Sequence, residues 1–267
     1  MKHGKVTLDV EEGLGILTLD DPGTLNAWGL QMREDFAEAV ERIENRAAGI
    51  RAVVLTGAGR AFSSGANLND PDAPPRDREA EARGEQPSSL QSYFNPMFLR
   101  LRELPIPWVS AVNGVAAGVG MSFALSADLV VMARSAYFLQ AFARIGLVPD
   151  GGSTYVLPRL IGLRRSLELS LLADRLPAED ALEWGLVTRV VEDNRVMDEA
   201  LELARRLASG PMSLGLIRRL YWKSLENDYP TQLGLEAELQ SQAGVSKDHE
   251  EGVAAFREKR AAVFRGR

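Results

Sequence analysis

Between residues 105 and 161 the chain reads PIPWVSAVNGVAAGVGMSFALSADLVVMARSAYFLQAFARIGLVPDGGSTYVLPRLI, and only Asp128 and Asp150 carry a carboxylate there. Short unbroken apolar runs such as Trp-Val-Ser-Ala-Val at 108–112 and Leu-Val-Val-Met-Ala at 129–133 suit strands covered on both faces. Small residues from Gly114 to Gly120 lie between them. Buried strands alternating with helical segments specify a layered α/β architecture of βα units. The same stretch has no His, Cys or Lys. Chemistry centred on it must run on backbone amides and very few titratable groups.

Elsewhere the pattern extends this architecture. Residues 6–10 and 15–19 read as two strands joined by a polar turn. Asn26 is placed to cap a helix over residues 27–46, with Leu30, Phe36, Ala39, Val40 and Ile43 on one face. Residues 51–56 form another buried strand, followed by a glycine and serine loop over 57–68. Residues 69–86, rich in proline and charge, are expected to be mobile. A helix starts at Ser88 or Ser89 and ends near Leu104, and a short one covers 121–127. After about Val191 the pattern is helical, over 195–209, 213–226, 232–244 and 250–263. The expected organisation is a core over residues 1–191 and a helical C-terminal region over 192–267.

Composition excludes several function classes. The net charge of −6 argues against a nucleic-acid partner. No run of about 18 residues is both charge-free and apolar throughout, so no membrane span is expected. The opening residues lack the apolar core of a signal peptide, and with no cysteine in the chain a cytoplasmic setting is expected. The two histidines, His3 and His249, lie near opposite ends, which argues against a Ser-His or Cys-His nucleophile pair and against zinc. No metal site is expected.

Gly57-Ala-Gly-Arg-Ala-Phe62 begins like a dinucleotide loop but lacks the third glycine, and Gly118-Val-Gly120 runs into Phe123 in the same way. Both loops offer backbone N–H groups, at Gly65–Ala66 and at 118–120. They suit either an oxyanion hole or tight backbone packing. Asp150, within Val-Pro-Asp-Gly-Gly, suits either a turn residue that caps the following helix or a carboxylate whose burial raises its pKa for proton transfer. Asp128 reads as structural.

Several segments together resemble the crotonase (enoyl-CoA hydratase/isomerase) superfamily over essentially the whole length. They are Ile16-Leu-Thr-Leu-Asp-Asp-Pro with Leu25-Asn-Ala27, Gly57-Ala-Gly-Arg-Ala-Phe-Ser-Ser-Gly-Ala-Asn-Leu68, Ala111-Val-Asn-Gly-Val-Ala-Ala-Gly-Val-Gly120, Ala181-Leu-Glu-Trp-Gly-Leu-Val187 and Glu251-Gly-Val-Ala-Ala-Phe-Arg-Glu-Lys-Arg260. The resemblance implies a spiral of ββα units with a C-terminal helical region that assembles homotrimers or dimers of trimers. It implies an acyl-CoA substrate, with coenzyme A entering as part of the thioester and no separate cofactor. It also implies an oxyanion hole from the N–H groups of Ala66 and Val119. Ser64, Ala66 and Leu68 would line the CoA path, and Phe256 and Lys259 would approach CoA, with a neighbouring subunit as one source.

The two catalytic glutamates of the family's hydratases fall on Ser122 and Phe142, which are expected to line the substrate site without acting as acid or base. Asp150 falls where some members carry a single catalytic aspartate. Residues 140–150 look especially like the ring-epoxide isomerases of phenylacetyl-CoA breakdown. The implied activity is acyl-CoA isomerisation with one Asp base. The alternatives are hydration of a 2-enoyl-CoA in fatty-acid or aromatic-acid degradation, and an acyl-CoA-binding oligomer without turnover.

Overall fold

The computed structural model describes residues 2–267. The chain opens with an antiparallel ribbon, β1 (Lys2–His3), β2 (Val6–Glu11) and β3 (Leu14–Leu19), followed by α1 (Leu30–Glu44). It then winds in units of two strands and a helical segment. β4 (Ala52–Gly57) and β5 (Ala61–Ser63) lead to α2 (Arg78–Ala82) and α3 (Asn95–Glu103). β6 (Trp108–Val112) and β7 (Val115–Ala117) lead to α4 (Val119–Leu125), and β8 (Leu129–Ala133) and β9 (Tyr137–Leu139) lead to α5 (Ser153–Leu172). β10 (Arg175–Pro177), α6 (Ala178–Glu183) and β11 (Arg189–Val191) follow. Then come α7 (Val196–Ala208), α8 (Ser213–Ser224), α9 (Tyr229–Gly244) and α10 (Lys247–Glu258).

The first strand of each unit joins a seven-stranded sheet in the order β1-β2-β3-β4-β6-β8-β11. The second joins a four-stranded sheet in the order β10-β9-β7-β5. This is the expected ββα spiral. From β3 to β11 the large sheet is parallel, and β6 is buried along its whole length, as its continuous apolar run requires. On one face of the large sheet α7 packs against β4, β6 and β8 with Ala200, Leu203 and Ala204 buried. No helix among the described residues is long and apolar enough to cross a membrane.

Four expectations change. Asn26 does not cap α1: the helix starts at Leu30 with Gly29 as its cap residue, and Asp70 accepts the Leu30 N–H at 2.5 Å. Residues 115–117 form β7 rather than part of a loop. The expected helix from residue 88 opens as a π-helical turn over Leu90–Phe94 before α3. The last helix stops at Glu258, with Lys259 left-handed at φ +56°. The remaining chain folds back because the buried Asp248 carboxylate accepts the N–H groups of Met212, Arg265, Gly266 and Arg267.

Candidate active site

Three parallel strands of the small sheet bring the site together. Ala61 of β5 pairs with Val115 of β7, and Ala117 of β7 pairs with Leu139 of β9. The loops leaving their C-terminal ends therefore emerge side by side. The first carries Gly65–Ala66, the second Gly118–Val119 and the third Phe142. The loops touch so closely that two glycines are obligatory. A Cβ at Gly65 would stand 2.8 Å from the Ala117 carbonyl oxygen, and one at Gly120 would stand 2.7 Å from the Ser63 side chain. The close-packing reading of these glycines is correct, and the same packing puts the two loops in one place.

The Ala66 loop is splinted from outside. Trp28 donates its N–H to the Gly65 carbonyl at 2.8 Å and accepts from Asn67 at 3.3 Å. This ladder uses the groups on either side of Ala66 and leaves its own N–H without an acceptor among the described residues, as is that of Val119. Asn26 explains why the splint holds. It is fully buried and left-handed, and its side-chain amide donates to the carbonyls of Ala58 at 2.9 Å, Ala61 at 2.8 Å and Phe62 at 3.3 Å. Its own carbonyl accepts the Ser63 hydroxyl at 2.8 Å. The sequence reading missed this role. The signal available was an Asn in a turn beside a Gly-rich segment, a residue type that tolerates the left-handed region.

Behind the second loop, α4 is wedged by rings. Trp28 stacks on Phe123 with centroids 3.9 Å apart and planes 11° apart, and Phe36 and Phe98 pack on the same Phe123 ring. Ser122 lies one turn after Val119 on the same helix. Phe142 is buried, with its ring 3.8 Å from where a Gly118 Cβ would stand.

Asp150 completes the group. Its turn passes through Gly151 and Gly152, both left-handed at φ +59° and +78°. A Cβ on Gly151 would lie 2.6 Å from that of Ser122 and 2.8 Å from the Phe98 ring, so the turn is pressed onto α4. The Ser122 hydroxyl lies 3.2 Å from the Asp150 carbonyl oxygen and 2.9 Å from the Ser153 hydroxyl. The capping alternative fails, because no side chain caps α5. Oδ1 of Asp150 is buried without a hydrogen-bond partner among the described residues. Burial pushes this carboxyl up to about 6, because desolvation disfavours the charged form. Asp128 differs: it accepts from the Trp108 N–H and the Trp222 indole and pairs with Arg218 at 2.8 Å.

Next to Ser122, Gly151 and Ser153 opens a pocket of about 260 Å³, walled by Phe98, Leu99, Leu125, Tyr155 and Trp222. Ser64 and Leu68 flank Ala66. The Ser64 hydroxyl is bound to the Thr24 carbonyl at 3.0 Å, while Leu68 is exposed. Phe256 and Lys259 lie elsewhere in the chain: Phe256 lines a separate groove with Ile217, Leu239 and Phe264.

Known proteins carry the same arrangement of chain. A 1,2-epoxyphenylacetyl-CoA isomerase from Escherichia coli K12 is 44% identical over 262 residues, covering 97% of each chain. A Rhodobacter capsulatus protein named as a probable enoyl-CoA hydratase is 40% identical over the full length of both. The solved enoyl-CoA hydratase from Bacillus anthracis superposes with a TM-score of 0.88 at 28% identity, over 98% of this chain and 100% of that one. The profile described as Enoyl-CoA hydratase/isomerase matches residues 9–267, and the chain belongs to that family.

Proposed function

We propose that the protein is an acyl-CoA isomerase with Asp150 as its single base. The observation that carries this reading is the half-buried Asp150 carboxyl, raised to about 6 and with its enclosed Oδ1 without a partner among the described residues. At neutral pH such a group is ionised and more basic than an ordinary aspartate. Asp150 takes a proton from the acyl chain, and the electron pair moves onto the thioester oxygen. The unpartnered amides of Ala66 and Val119 suit the enolate oxygen that forms, and fixed donors aimed at developing charge act strongly in a dry site. The Asp150 acid then returns the proton to another carbon, so the double bond moves and nothing is gained or lost. One carboxyl suffices because the proton leaves and returns on one face.

Ser122 and Phe142 support the same reading: a buried hydroxyl and a buried ring stand where the resemblance expects the hydratase glutamates. The ring-walled pocket behind Ser122 and the relative named as an epoxyphenylacetyl-CoA isomerase favour a bulky, cyclic acyl group. The test is Asp150→Asn assayed on 3-enoyl-CoA and on epoxy-phenylacetyl-CoA. Unchanged turnover of both would sink the assignment. The relatives named as hydratases support a second reading, in which Asp150 activates water for addition to a 2-enoyl-CoA. Crotonyl-CoA hydration separates the two, and we expect little of it. Uptake of deuterium at the acyl α-carbon separates both from an acyl-CoA binder without turnover.

Self-association as a trimer or a pair of trimers belongs to the same proposal. Beyond the break at Gly162, Leu163, Leu167 and Leu171 of α5 are exposed at helical spacing, a stripe that suits burial against another copy. Light scattering on the eluted protein reads the state directly, and a monomeric mass would overturn it.

A further inference from the structure

We infer that Ser122 and Ser153 are positioning residues whose paired hydroxyls hold the Asp150 backbone against α4 and so set the spacing between the base and the Val119 amide. The inference rests on the reading of Asp150 as the base.

A carboxylate is normally aimed by its own hydrogen bonds. Asp150 has none for Oδ1, so its direction must be inherited from its backbone. That backbone is unusually free by itself. It runs into two consecutive left-handed glycines, and among the described residues the one backbone tie across the turn is the Ser153 N–H to the Asp150 carbonyl, at 3.1 Å. Left-handed glycines impose little restriction on their neighbours. The remaining ties are hydroxyls. Ser153 donates to the Asp150 carbonyl at 2.6 Å, and Ser122 reaches the same carbonyl at 3.2 Å and the Ser153 hydroxyl at 2.9 Å. Both serines are more than nine-tenths buried, so water does not compete for these bonds.

Ser122 and Val119 are one turn apart on α4, and both are buried. The anchor of the base and the donor to the enolate are therefore parts of one rigid element. Gly151 adds a steric stop, since its Cα is packed too tightly against Ser122 and Phe98 to accept a Cβ. The hydroxyl pair supplies the attraction and the glycine the contact distance. Proton transfer is sensitive to placement, and an error of about 1 Å can cost about 100-fold.

The experiment compares Ser122→Ala, Ser153→Ala and the double variant with Asp150→Asn, by kcat, KM and the pH profile of kcat on a 3-enoyl-CoA. Each single alanine should lower kcat about 10-fold with KM changed less than about twofold, a displacement well under 1 Å. The double variant should lose less than the product of the two, because the hydroxyls share one carbonyl. The midpoint of the pH profile should move in both, and Ser153→Thr should restore most of the rate. Wild-type kcat and an unmoved midpoint in the alanine variants, with Asp150→Asn inactive, would overturn the positioning role and leave the base intact. A raised KM at unchanged kcat would overturn it too, by assigning the hydroxyls to substrate. Full activity in Asp150→Asn would instead sink the underlying reading of the base. If an alanine variant does not fold, Ser122→Cys keeps the volume and weakens the donor. It should lower kcat in the same way, and an unchanged kcat counts against the proposal.

Discussion

Asp128 and Asp150 lie in the same apolar stretch, and the fold surrounds them in opposite ways. The Asp128 carboxylate is filled with donors from β6 and α8, and its partner Arg218 donates in turn to the carbonyls of Leu101, Arg102 and Leu104. The pair rivets α8 to the core and to the end of α3. The Asp150 carboxyl has no donor for its enclosed Oδ1 among the described residues, and burial raises it to about 6. Burial raises the Asp128 carboxyl too, but there Arg218 and the donors from Trp108 and Trp222 pull against it, whereas at Asp150 desolvation acts alone. Satisfied charge holds structure, and unsatisfied charge is available for chemistry.

Substitutions that separate the two roles test this contrast. Asp150→Asn should lower kcat by about 10²- to 10⁴-fold, the range for a positioned proton-transfer group, while the melting temperature does not fall. A lower melting temperature with retained kcat would reverse the contrast. Asp128→Ala should do the opposite. It leaves the buried Arg218 guanidinium uncompensated, a change that costs about 3–5 kcal/mol. Urea unfolding reads the loss, and kcat per folded molecule should stay within about twofold.

Asn26→Ala should fall between them. It strands the buried carbonyl of Ala61 and the half-buried one of Ala58, at about 1–3 kcal/mol, and loosens the loop that carries Ala66. Stability and kcat should both drop, and a loss of stability alone would mean that the splint does not reach the site.

The smallest effect is a pH dependence. The Asp150 carboxyl binds its proton more tightly folded than unfolded, so its contribution favours the folded state at low pH and is lost as pH rises through about 6. Asp150→Asn lacks that term. Its stability relative to the parent should rise between about pH 4 and 6 and level off above, by about 1–2 kcal/mol after allowance for solvent screening. The kcat of the parent should fall as pH drops below about 6. A flat stability difference would place Asp150 in a more polar setting.

The strands were readable because their cause is local. Residues 108–112 and 129–133 are continuous apolar runs, and the structure puts β6 and β8 on those same residues. The glycine loops and the lone aspartate of the Val-Pro-Asp-Gly-Gly turn were readable as candidates with two readings each. β7 escaped because Val-Ala-Ala is too short and too small to carry a periodic signal. The real role of Asn26 escaped because the residue types that cap helices are also those that tolerate left-handed turns. Ser153 escaped because a serine at the start of a helix is ordinary by composition.

The amino-acid sequence by itself determined the layered strands, the absence of cysteine, and the restriction of the central stretch to two carboxylates. Those properties depend on residue type and short-range spacing. Only the tertiary structure decided which carboxylate was satisfied and which was left over. The partner of Asp128 is 90 residues away on α8, and the Ser122 beside Asp150 is 28 residues before it. Hydrogen bonding and desolvation act over a few ångströms in space, and the path of the chain between such residues sets whether they ever meet.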